Sequence, residues 1–283
     1  MTTRVACVQT DVAFNDPAAN STVAITHLKA LKDEGVDLVI LPEAFLTGYC
    51  VASAEQAMEI ALPLESDRLA RIRQAPDAVT RIQTACKDLA IHAVVGLIAT
   101  DGVDVYNAAL LFEPDGTMRR YFKTHLPFLG VDRFVVPGWD LPVFETEVGN
   151  LGIGICYDLR VPEAARVMAL EGADVIVLPT NWPVGAETSA DHTALVRAAE
   201  NCVYVAACNR VGTENGTTFI GRSGIYDVAG GVMQKAGDGE ETIIADLDLD
   251  EARDKHTVII PGEYEFEVMA SRRPALYDRI TKQ

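Results

Sequence analysis

The sequence predicts a single α/β domain in which helices cover mixed β-sheet from the outside. Apolar runs of strand length alternate with segments of helical period from residue 4 to about residue 210. Within VDLVILP (36–42), the residues after Asp37 form a continuous apolar run without alternation, which is typical of strands buried on both faces. No Pro/Ser-rich linker or block of like charges divides the 283 residues. These observations favour one layered domain over two separate ones.

Periodicity and turn residues place the individual elements along the chain. The first helix has apolar residues on one face and Gly35 at its C-terminal cap. A turn at Pro114–Gly116 predicts a hairpin within 107–122, and the glycine pair 230–231 separates the strands of a second one. The predicted strands are 4–12, 36–42, 92–99, 151–156, 173–179, 203–209, 223–228 and 241–248, and the predicted helices are 17–35, 77–90, 162–172 and 189–202.

One stretch of sequence occurs twice in similar form. GVDLVILP (35–42) resembles GADVIVLP (172–179), and each follows an amphipathic helix. Two ordinary αβ units could share these residues by chance. Alternatively, the repeat indicates a pseudo-twofold arrangement with reactive residues at equivalent strand ends.

Charge and composition disfavour several classes of function. The 41 acidic residues outnumber the 24 basic ones and give a formal net charge of −17, which disfavours binding to nucleic acid or to anionic membrane surfaces. No apolar run approaches the ~18 residues of a membrane helix, and the first residues do not form a secretory signal. The six cysteines lie far apart without a C-x-x-C pair, which predicts reduced thiols in a cytoplasmic protein. The five histidines show no metal-ligand spacing, so no metal site is expected.

Three reactive side chains stand at the ends of predicted strands. Glu43 follows VDLVILP, Lys123 follows RRYF, and Cys156 ends LGIGIC. Because sites gather at the carboxyl ends of strands in layered α/β proteins, we expect these side chains to share a pocket. Each residue alone also fits an ordinary role: a helix-terminal carboxylate, a surface amine or a small core thiol.

The residue types suggest a role for each side chain. The Cys156 thiolate attacks a carbonyl or nitrile carbon, and Glu43 takes the thiol proton and returns it to the leaving nitrogen. Burial is expected to raise the pKa of Glu43, which suits this proton transfer. Lys123 and the backbone N–H of Tyr157 are the expected donors to a tetrahedral oxyanion. These groups supply all the chemistry, so no cofactor is expected.

Longer stretches around these residues carry a family resemblance. In chain order they are ACVQTDV, DLVILPEAFLTGY, YFKTHLP, GIGICYDLRVPEAARVMALEGADVIVLPTNWP and RAAENCVYVAACNRVG. Through them the chain resembles the nitrilase superfamily, the carbon–nitrogen hydrolases, along nearly its whole length. The resemblance implies that Glu43, Lys123 and Cys156 form a Glu–Lys–Cys triad and that a thioester intermediate is hydrolysed by water. It also implies a four-layer α-β-β-α sandwich whose protomers commonly pair as homodimers.

The same resemblance suggests a division of the chain. Residues 1–261 are expected to form the carbon–nitrogen hydrolase domain. Residues 262–283 have weaker periodicity and are expected to form a C-terminal extension that packs on the domain or on a partner subunit.

The sequence departs from the family pattern at one position. Many members carry a second glutamate shortly after the lysine, where it positions the substrate or the attacking water. Here the candidate is Asp132, which is one methylene shorter and stands next to Arg133. We expect Asp132 to take the catalytic role, and the alternative is a structural pair with Arg133.

Four further residues are candidates for substrate binding. Asn181 and Trp182 follow the strand ADVIVLP, so Trp182 is expected to wall the pocket beside the thiol. Tyr49 could place its hydroxyl near the first carboxylate, and Tyr157 is expected to contribute its N–H. Packing in a loop or core is the alternative for the two large aromatic side chains. His125 is interpreted as a structural hydrogen-bond partner.

The favoured function is hydrolysis of a small amide or carbamoyl compound to an acid and ammonia. The closest alternative is a nitrilase, because nitriles and amides pass through related thioimidate and thioester intermediates. The CYDLR and PTNWP contexts resemble the amidase branches more than true nitrilases, in which Trp-Glu typically follows the cysteine.

Other classes of function fit the sequence less well. GNLGIG lacks the glycine order of a dinucleotide-binding turn, and GRSGI lacks the last glycine of a serine-hydrolase elbow. A papain-like Cys–His hydrolase predicts a catalytic histidine. A non-catalytic interaction partner would not need the three reactive residues.

Overall fold

The computed structural model describes residues 1–66 and 70–282. The strands are β1 (Thr2–Gln9), β2 (Leu38–Ile40), β3 (Leu62–Pro63), β4 (Glu65–Ser66), β5 (Ile72–Gln74), β6 (His92–Thr100), β7 (Val105–Phe112), β8 (Met118–Phe122), β9 (Val143–Thr146), β10 (Gly149–Ile153), β11 (Val175–Pro179), β12 (Tyr204–Cys208), β13 (Thr213–Glu214), β14 (Thr217–Thr218), β15 (Gly224–Tyr226), β16 (Val232–Lys235), β17 (Glu241–Asp248), β18 (His256–Ile260) and β19 (Tyr264–Glu267).

The helices begin and end where the local chemistry directs. The helices are α1 (Pro17–Asp33), α2 (Ala54–Ile60), α3 (Asp77–Leu89), α4 (Pro162–Leu170), α5 (Ala194–Asn201) and α6 (Leu249–Arg253). Helix α1 starts with a proline after Asp16, whose carboxylate accepts the N–H of Ala19 as an N-cap. Helix α3 ends at Ala90, which has a left-handed backbone (φ 50°). Short 3₁₀ helices lie at Gly130–Arg133 and Cys156–Arg160, and a π-helical turn at Ser189–Thr193 leads into α5.

Two mixed sheets form the centre of the described chain. One has the order β17-β1-β2-β6-β7-β8, with β3 added to β6, and the other has the order β16-β15-β12-β11-β10-β9. In the first, β1, β2 and β6 are parallel; in the second, β10, β11 and β12 are parallel. The two similar stretches of sequence therefore form β2 and β11, each flanked by parallel strands on both sides.

The sheets stack face to face with helices outside. Val5 and Ile40 of the first sheet share one apolar core with Leu151 and Val177 of the second. A separate core joins the outer face of the first sheet to α1 and α3, and α4 and α5 cover the second sheet. This arrangement is an α-β-β-α sandwich, so the fold class predicted from the sequence is confirmed.

Some boundaries differ from the sequence predictions. Strand β10 ends at Ile153, so Cys156 lies beyond the strand in a 3₁₀ turn. The predicted division between residues 261 and 262 falls in the turn of the β18–β19 hairpin, and residue 283 lies outside the described residues. Apolar side chains of this C-terminal region, including Val258, Tyr264 and Ile280, are exposed. No helix among the described residues is long and apolar enough to cross a membrane.

Candidate active site

Glu43 lies in a buried turn directly beyond β2, as predicted. Its side chain is fully buried. The turn passes directly over Gly96 of β6, where a Cβ atom would lie 2.4 Å from the carbonyl oxygen of Pro42 and 2.7 Å from the Cα of Glu43. Only glycine leaves room for this approach. The lack of a side chain at position 96 therefore sets how closely the turn that carries Glu43 approaches β6.

Lys123 follows β8 and is also fully buried. Its backbone N–H donates to the carbonyl oxygen of Asn107, and its own carbonyl accepts the N–H of Gly138. Its Nζ lies 2.8 Å from Oε1 of Glu43 and 2.6 Å from Oδ2 of Asp132. The structure thus brings together the predicted amine and both predicted carboxylates.

Asn107 joins this group, although sequence reasoning did not identify it. Its Nδ2 donates to Oε1 of Glu43 at 2.7 Å and to Oδ1 of Asp132 at 2.8 Å. The residue lies on β7, whose side chains are all buried. A lone amide in the apolar run NAALLF was the available signal, because a buried polar side chain requires partners.

Asp132 is held by Tyr49 and does not pair with its neighbour Arg133. The Tyr49 hydroxyl donates to Oδ2 of Asp132 at 2.8 Å and lies 3.1 Å from the carbonyl oxygen of Leu129. Arg133 instead bonds to the backbone carbonyls of Gly130 and Val51. Burial, reinforced by the Asp132 and Glu43 charges, raises the pKa of Tyr49 well above its usual value, so the hydroxyl keeps its proton and remains a donor.

Cys156 begins a 3₁₀ turn in a left-handed conformation with φ 45°. Non-glycine residues adopt this region rarely, and such strain is common at functional positions. The turn is held by Asp158, whose Oδ2 accepts the N–H of Ile155 and the hydroxyl of Tyr121, each at 2.8 Å. The other oxygen of Asp158 accepts from the backbone and ring of His125, which is therefore a structural partner as predicted.

The remaining predicted residues lie in two surroundings. The backbone of Asn181 lowers the pKa of Cys156, against the larger effect of burial. The Asn181 side chain is buried, and neither of its polar atoms has a hydrogen-bond partner within the described chain. Trp182 is buried in the apolar core, and its backbone N–H donates to Oδ1 of Asn209 at 2.7 Å. The ring of Tyr157 is exposed, which leaves its backbone as the part available to the site.

Burial and charge set the protonation states around the sulfur. Burial and then the Glu43 charge raise the pKa of Cys156 well above its usual value, and Lys123 only partly opposes them. Burial, with a smaller contribution from Asp132, also raises the pKa of Glu43 against the lowering effect of Lys123. Burial disfavours the charge on Lys123, but Asp132 and Glu43 outweigh it, so its pKa is raised. The resting site therefore contains a thiol beside a fixed ammonium group.

The arrangement can support attack by sulfur with proton transfer to a carboxylate. The sulfur is almost completely buried, and the Glu43 charge raises its pKa whereas the Lys123 charge lowers it. Oε1 of Glu43 is occupied by Lys123 and Asn107, whereas Oε2 has no hydrogen-bond partner within the described chain. Residues 1–66 and 70–282 contain no group of three or more His, Cys, Asp or Glu side chains placed to hold a metal ion.

Comparison with known proteins agrees with this architecture. A family model described as carbon–nitrogen hydrolase matches residues 4–256. The chain is 34% identical to a protein named nitrilase from Pyrococcus abyssi, covering 89% of this chain and 92% of that one. It is 30% identical to N-carbamoylputrescine amidase of Solanum lycopersicum, covering 93% and 90%. The structure of Nit3 from Saccharomyces cerevisiae, described as a member of branch 10 of the nitrilase superfamily, superposes with a TM-score of 0.78 at 26% identity and covers 93% of this chain and 97% of that one.

Proposed function

The chain belongs to the carbon–nitrogen hydrolase family of the nitrilase superfamily and is an amide hydrolase of its amidase-like branch, and on this premise we propose how it reacts and on what. The substrate is a small linear amide or carbamoyl compound, and the products are an acid and ammonia. Cys156 is the nucleophile, Glu43 the general base and acid, and Lys123 the oxyanion donor. The observation that carries this proposal is the buried contact of Lys123 with Glu43 beside a sulfur that both charges influence.

Acylation begins with the neutral thiol. Because the pKa of Cys156 is raised, its proton passes to the free Oε2 of Glu43 as the sulfur bonds to the amide carbon. The negative charge that develops on the substrate oxygen is stabilised by the Lys123 ammonium and the backbone N–H of Tyr157. The C–N bond then breaks, Glu43 returns the proton to the nitrogen, and ammonia leaves a thioester on Cys156.

Deacylation uses the same groups with water as the nucleophile. Glu43 takes a proton from water as the water oxygen bonds to the thioester carbon, and Lys123 again stabilises the oxyanion. The C–S bond breaks, the sulfur recovers a proton from Glu43, and the acid departs. Asp132 holds Lys123 in place through the 2.6 Å contact, which supports its assignment as the counterpart of the family's second glutamate.

Substrate recognition is assigned to groups around the sulfur. The unpartnered amide of Asn181 offers one donor and one acceptor to a polar group of the substrate. Trp182 packs behind it in the core, and Tyr49 acts through Asp132. Acyl groups with a polar atom near the scissile carbon are therefore favoured over plain hydrocarbon chains.

Ammonia release from a substrate panel tests this function. The panel contains aliphatic amides, amino-acid amides, N-carbamoyl compounds and nitriles, with Cys156→Ala as the control. Turnover of an amide or carbamoyl compound by the natural chain, lost in Cys156→Ala, is expected. Ammonia release from nitriles only would favour the nitrilase alternative. The 34% identity to a protein named nitrilase is the observation that supports that alternative. Turnover that survives in Cys156→Ala would overturn the assignment of the nucleophile.

We also propose a homodimer in which the β18–β19 hairpin, together with the C-terminal extension (residues 262–283), contacts the partner subunit. Its support is the apolar surface of the β18–β19 hairpin, since an isolated two-stranded hairpin is at best marginally stable in water. Sedimentation velocity on the natural chain and on a chain ending at residue 255 tests this, with a dimer expected for the first and a monomer for the second. A monomeric natural chain would contradict it.

The cysteines of the described chain are all free, which supports a reducing, cytoplasmic location.

A further inference from the structure

A buried carboxylate outside the predicted site holds the turn that carries Tyr49. Oε1 of Glu214 accepts the backbone N–H of Tyr49 at 2.8 Å and that of Cys50 at 2.6 Å. The next residue, Asn215, donates from its side chain to the carbonyl oxygen of Cys50 at 2.6 Å. Both residues belong to the small β13–β14 hairpin. The turn is thus fixed by a distant part of the sequence.

Glu214 is itself fixed by a buried arginine. Nη1 of Arg210 donates to Oε2 of Glu214 at 2.8 Å, and its guanidinium lies over the ring of Phe219 at 4.5 Å. Arg210 is fully buried, whereas its second partner, Asp11, has a half-exposed side chain and does not bond to the turn. The buried guanidinium therefore depends mainly on Glu214 for compensation of its charge.

The turn transmits this constraint to the reactive groups. The carbonyl of Tyr49 accepts the N–H of Val131, and its hydroxyl lies within hydrogen-bond distance of Leu129 and Asp132. Tyr49 thus holds the 3₁₀ helix that carries Asp132, and Asp132 lies 2.6 Å from the Lys123 ammonium. A continuous series of short contacts runs from Arg210 to the proposed oxyanion donor.

We propose that Glu214 is a positioning residue for the hydrolytic reaction, which it serves by fixing Tyr49 so that Asp132 holds Lys123 in place. The inference rests on the function proposed above. It assigns a role to the NRVGTENG stretch beyond that of a surface hairpin.

Replacement of Glu214 by Gln isolates this role with little change in volume. The Gln oxygen can still accept from the turn, but an amide presents no negative charge to Arg210, and its NH₂ group faces the guanidinium unfavourably. We expect the turn and the Tyr49 hydroxyl to shift. Asp11→Asn is the matched control, because it removes a carboxylate from the same guanidinium without touching the turn.

Kinetics in two backgrounds test whether Glu214 acts through Tyr49. Glu214→Gln is expected to lower kcat about tenfold with KM changed less than about threefold, and Asp11→Asn to change either less than about twofold. In a Tyr49→Phe background, Glu214→Gln is expected to lower kcat by less than about threefold further, because the hydroxyl is already absent and only the backbone contact of Tyr49 with Val131 can still be displaced. An equal loss in both backgrounds, or a normal kcat in the single variant, would overturn the proposal.

Alkylation of the Cys50 thiol gives a readout that needs no substrate. Iodoacetamide labelling, located by peptide mass spectrometry, should increase severalfold at Cys50 in Glu214→Gln but not in Asp11→Asn, because Cys50 lies in the released turn. Unchanged labelling of Cys50 would refute the positioning role even if the chain hydrolysed no amide. If the natural chain showed no turnover but Glu214→Gln increased the labelling of Cys50, the proposed function would be contradicted. The contact between Glu214 and the turn of Tyr49 and Cys50 would still be supported.

Discussion

Gly96→Ala should disable the site without altering any reactive side chain. Gly96 lies on β6, directly beneath the turn that carries Glu43. A Cβ atom there would meet the carbonyl oxygen of Pro42 at 2.4 Å, the N of Ala44 at 2.5 Å and the Cα of Glu43 at 2.7 Å. All three are main-chain positions, so no flexible side chain can move aside. The turn itself must shift.

The size of the shift follows from these contacts. Ordinary van der Waals contact begins near 3.4 Å, so the turn must retreat by roughly 0.7 to 1.0 Å. Oε1 of Glu43 lies 2.8 Å from Lys123 and 2.7 Å from Asn107, and such a shift stretches both contacts to or beyond the limit of a hydrogen bond. Displacement of a reacting group by about 1 Å lowers kcat about 100-fold, and overpacking destabilises the fold by about 1–3 kcal/mol.

The assay must separate lost geometry from lost stability. Ammonia release on the best substrate of the panel gives kcat, and urea unfolding gives the free energy of unfolding. Gly152→Ala on β10 is the matched control, because its Cβ would meet the side chain of Met168, which can rotate away. We expect similar destabilisation in both variants and a loss of kcat in Gly96→Ala alone.

One result would refute this reasoning. That result is a Gly96→Ala variant that loses stability yet retains kcat within about threefold of the natural chain. In that case the position of the turn that carries Glu43 would not control the reaction. Glu43 would then be an unsuitable choice of general base, since proton transfer requires hydrogen-bond distance.

Three further outcomes follow from the same geometry. Glu43→Gln should lower turnover, measured as ammonia release, by about 10²- to 10⁴-fold, and normal turnover would contradict the role of Glu43 as general base. The same variant should speed alkylation of Cys156 at pH 9, because the Glu43 charge raises the pKa of the thiol. In the natural chain, alkylation of Cys156 should rise about tenfold per pH unit from pH 7 to 9, because a thiol of raised pKa has little thiolate at neutral pH, and a plateau below pH 8 would contradict that raised pKa. Asp158→Asn should destabilise the fold by about 2–3 kcal/mol in urea unfolding, because charge-assisted bonds that hold the turn of Cys156 are lost; a destabilisation below about 0.5 kcal/mol would remove that role.

The strand ends were predictable because residue type and position both carried the signal. Glu43, Lys123 and Cys156 are reactive residues placed where apolar runs stop, and the stretches of sequence around them resemble one family. Glu43 and Lys123 meet because β2 and β8 run in the same direction in one sheet, so that their carboxyl ends lie at one edge. Cys156 joins them through the packing of the second sheet on the first. The sandwich itself was predicted from that resemblance, and the alternation of strands and helices gave only the broader class.

Supporting residues were harder to predict because long-range contacts define them. Asn107 looks like an ordinary member of β7 until β8 brings Lys123 beside it. Asp158 reads as a turn residue, but its value lies in contacts with Tyr121 and His125 more than thirty positions away. Glu214 belongs to a two-residue strand too short to give a periodic signal. Such partners lie far apart in the sequence, so no local pattern of residues encodes them.

The site draws its members from both sheets, and this has a consequence for how it forms. Glu43, Asn107 and Lys123 come from the first sheet, whereas Cys156 and Asn181 come from the second. The apolar core between the sheets therefore brings the thiol towards Glu43 and Lys123, its proposed base and oxyanion donor. Burial in this core also raises the pKa of Cys156. The contacts that assemble the site therefore keep its sulfur protonated until the sulfur bonds to the substrate carbon. Neither sheet alone places the proposed base beside the thiol. Loosening of the apolar core between the sheets should therefore abolish turnover before it abolishes secondary structure.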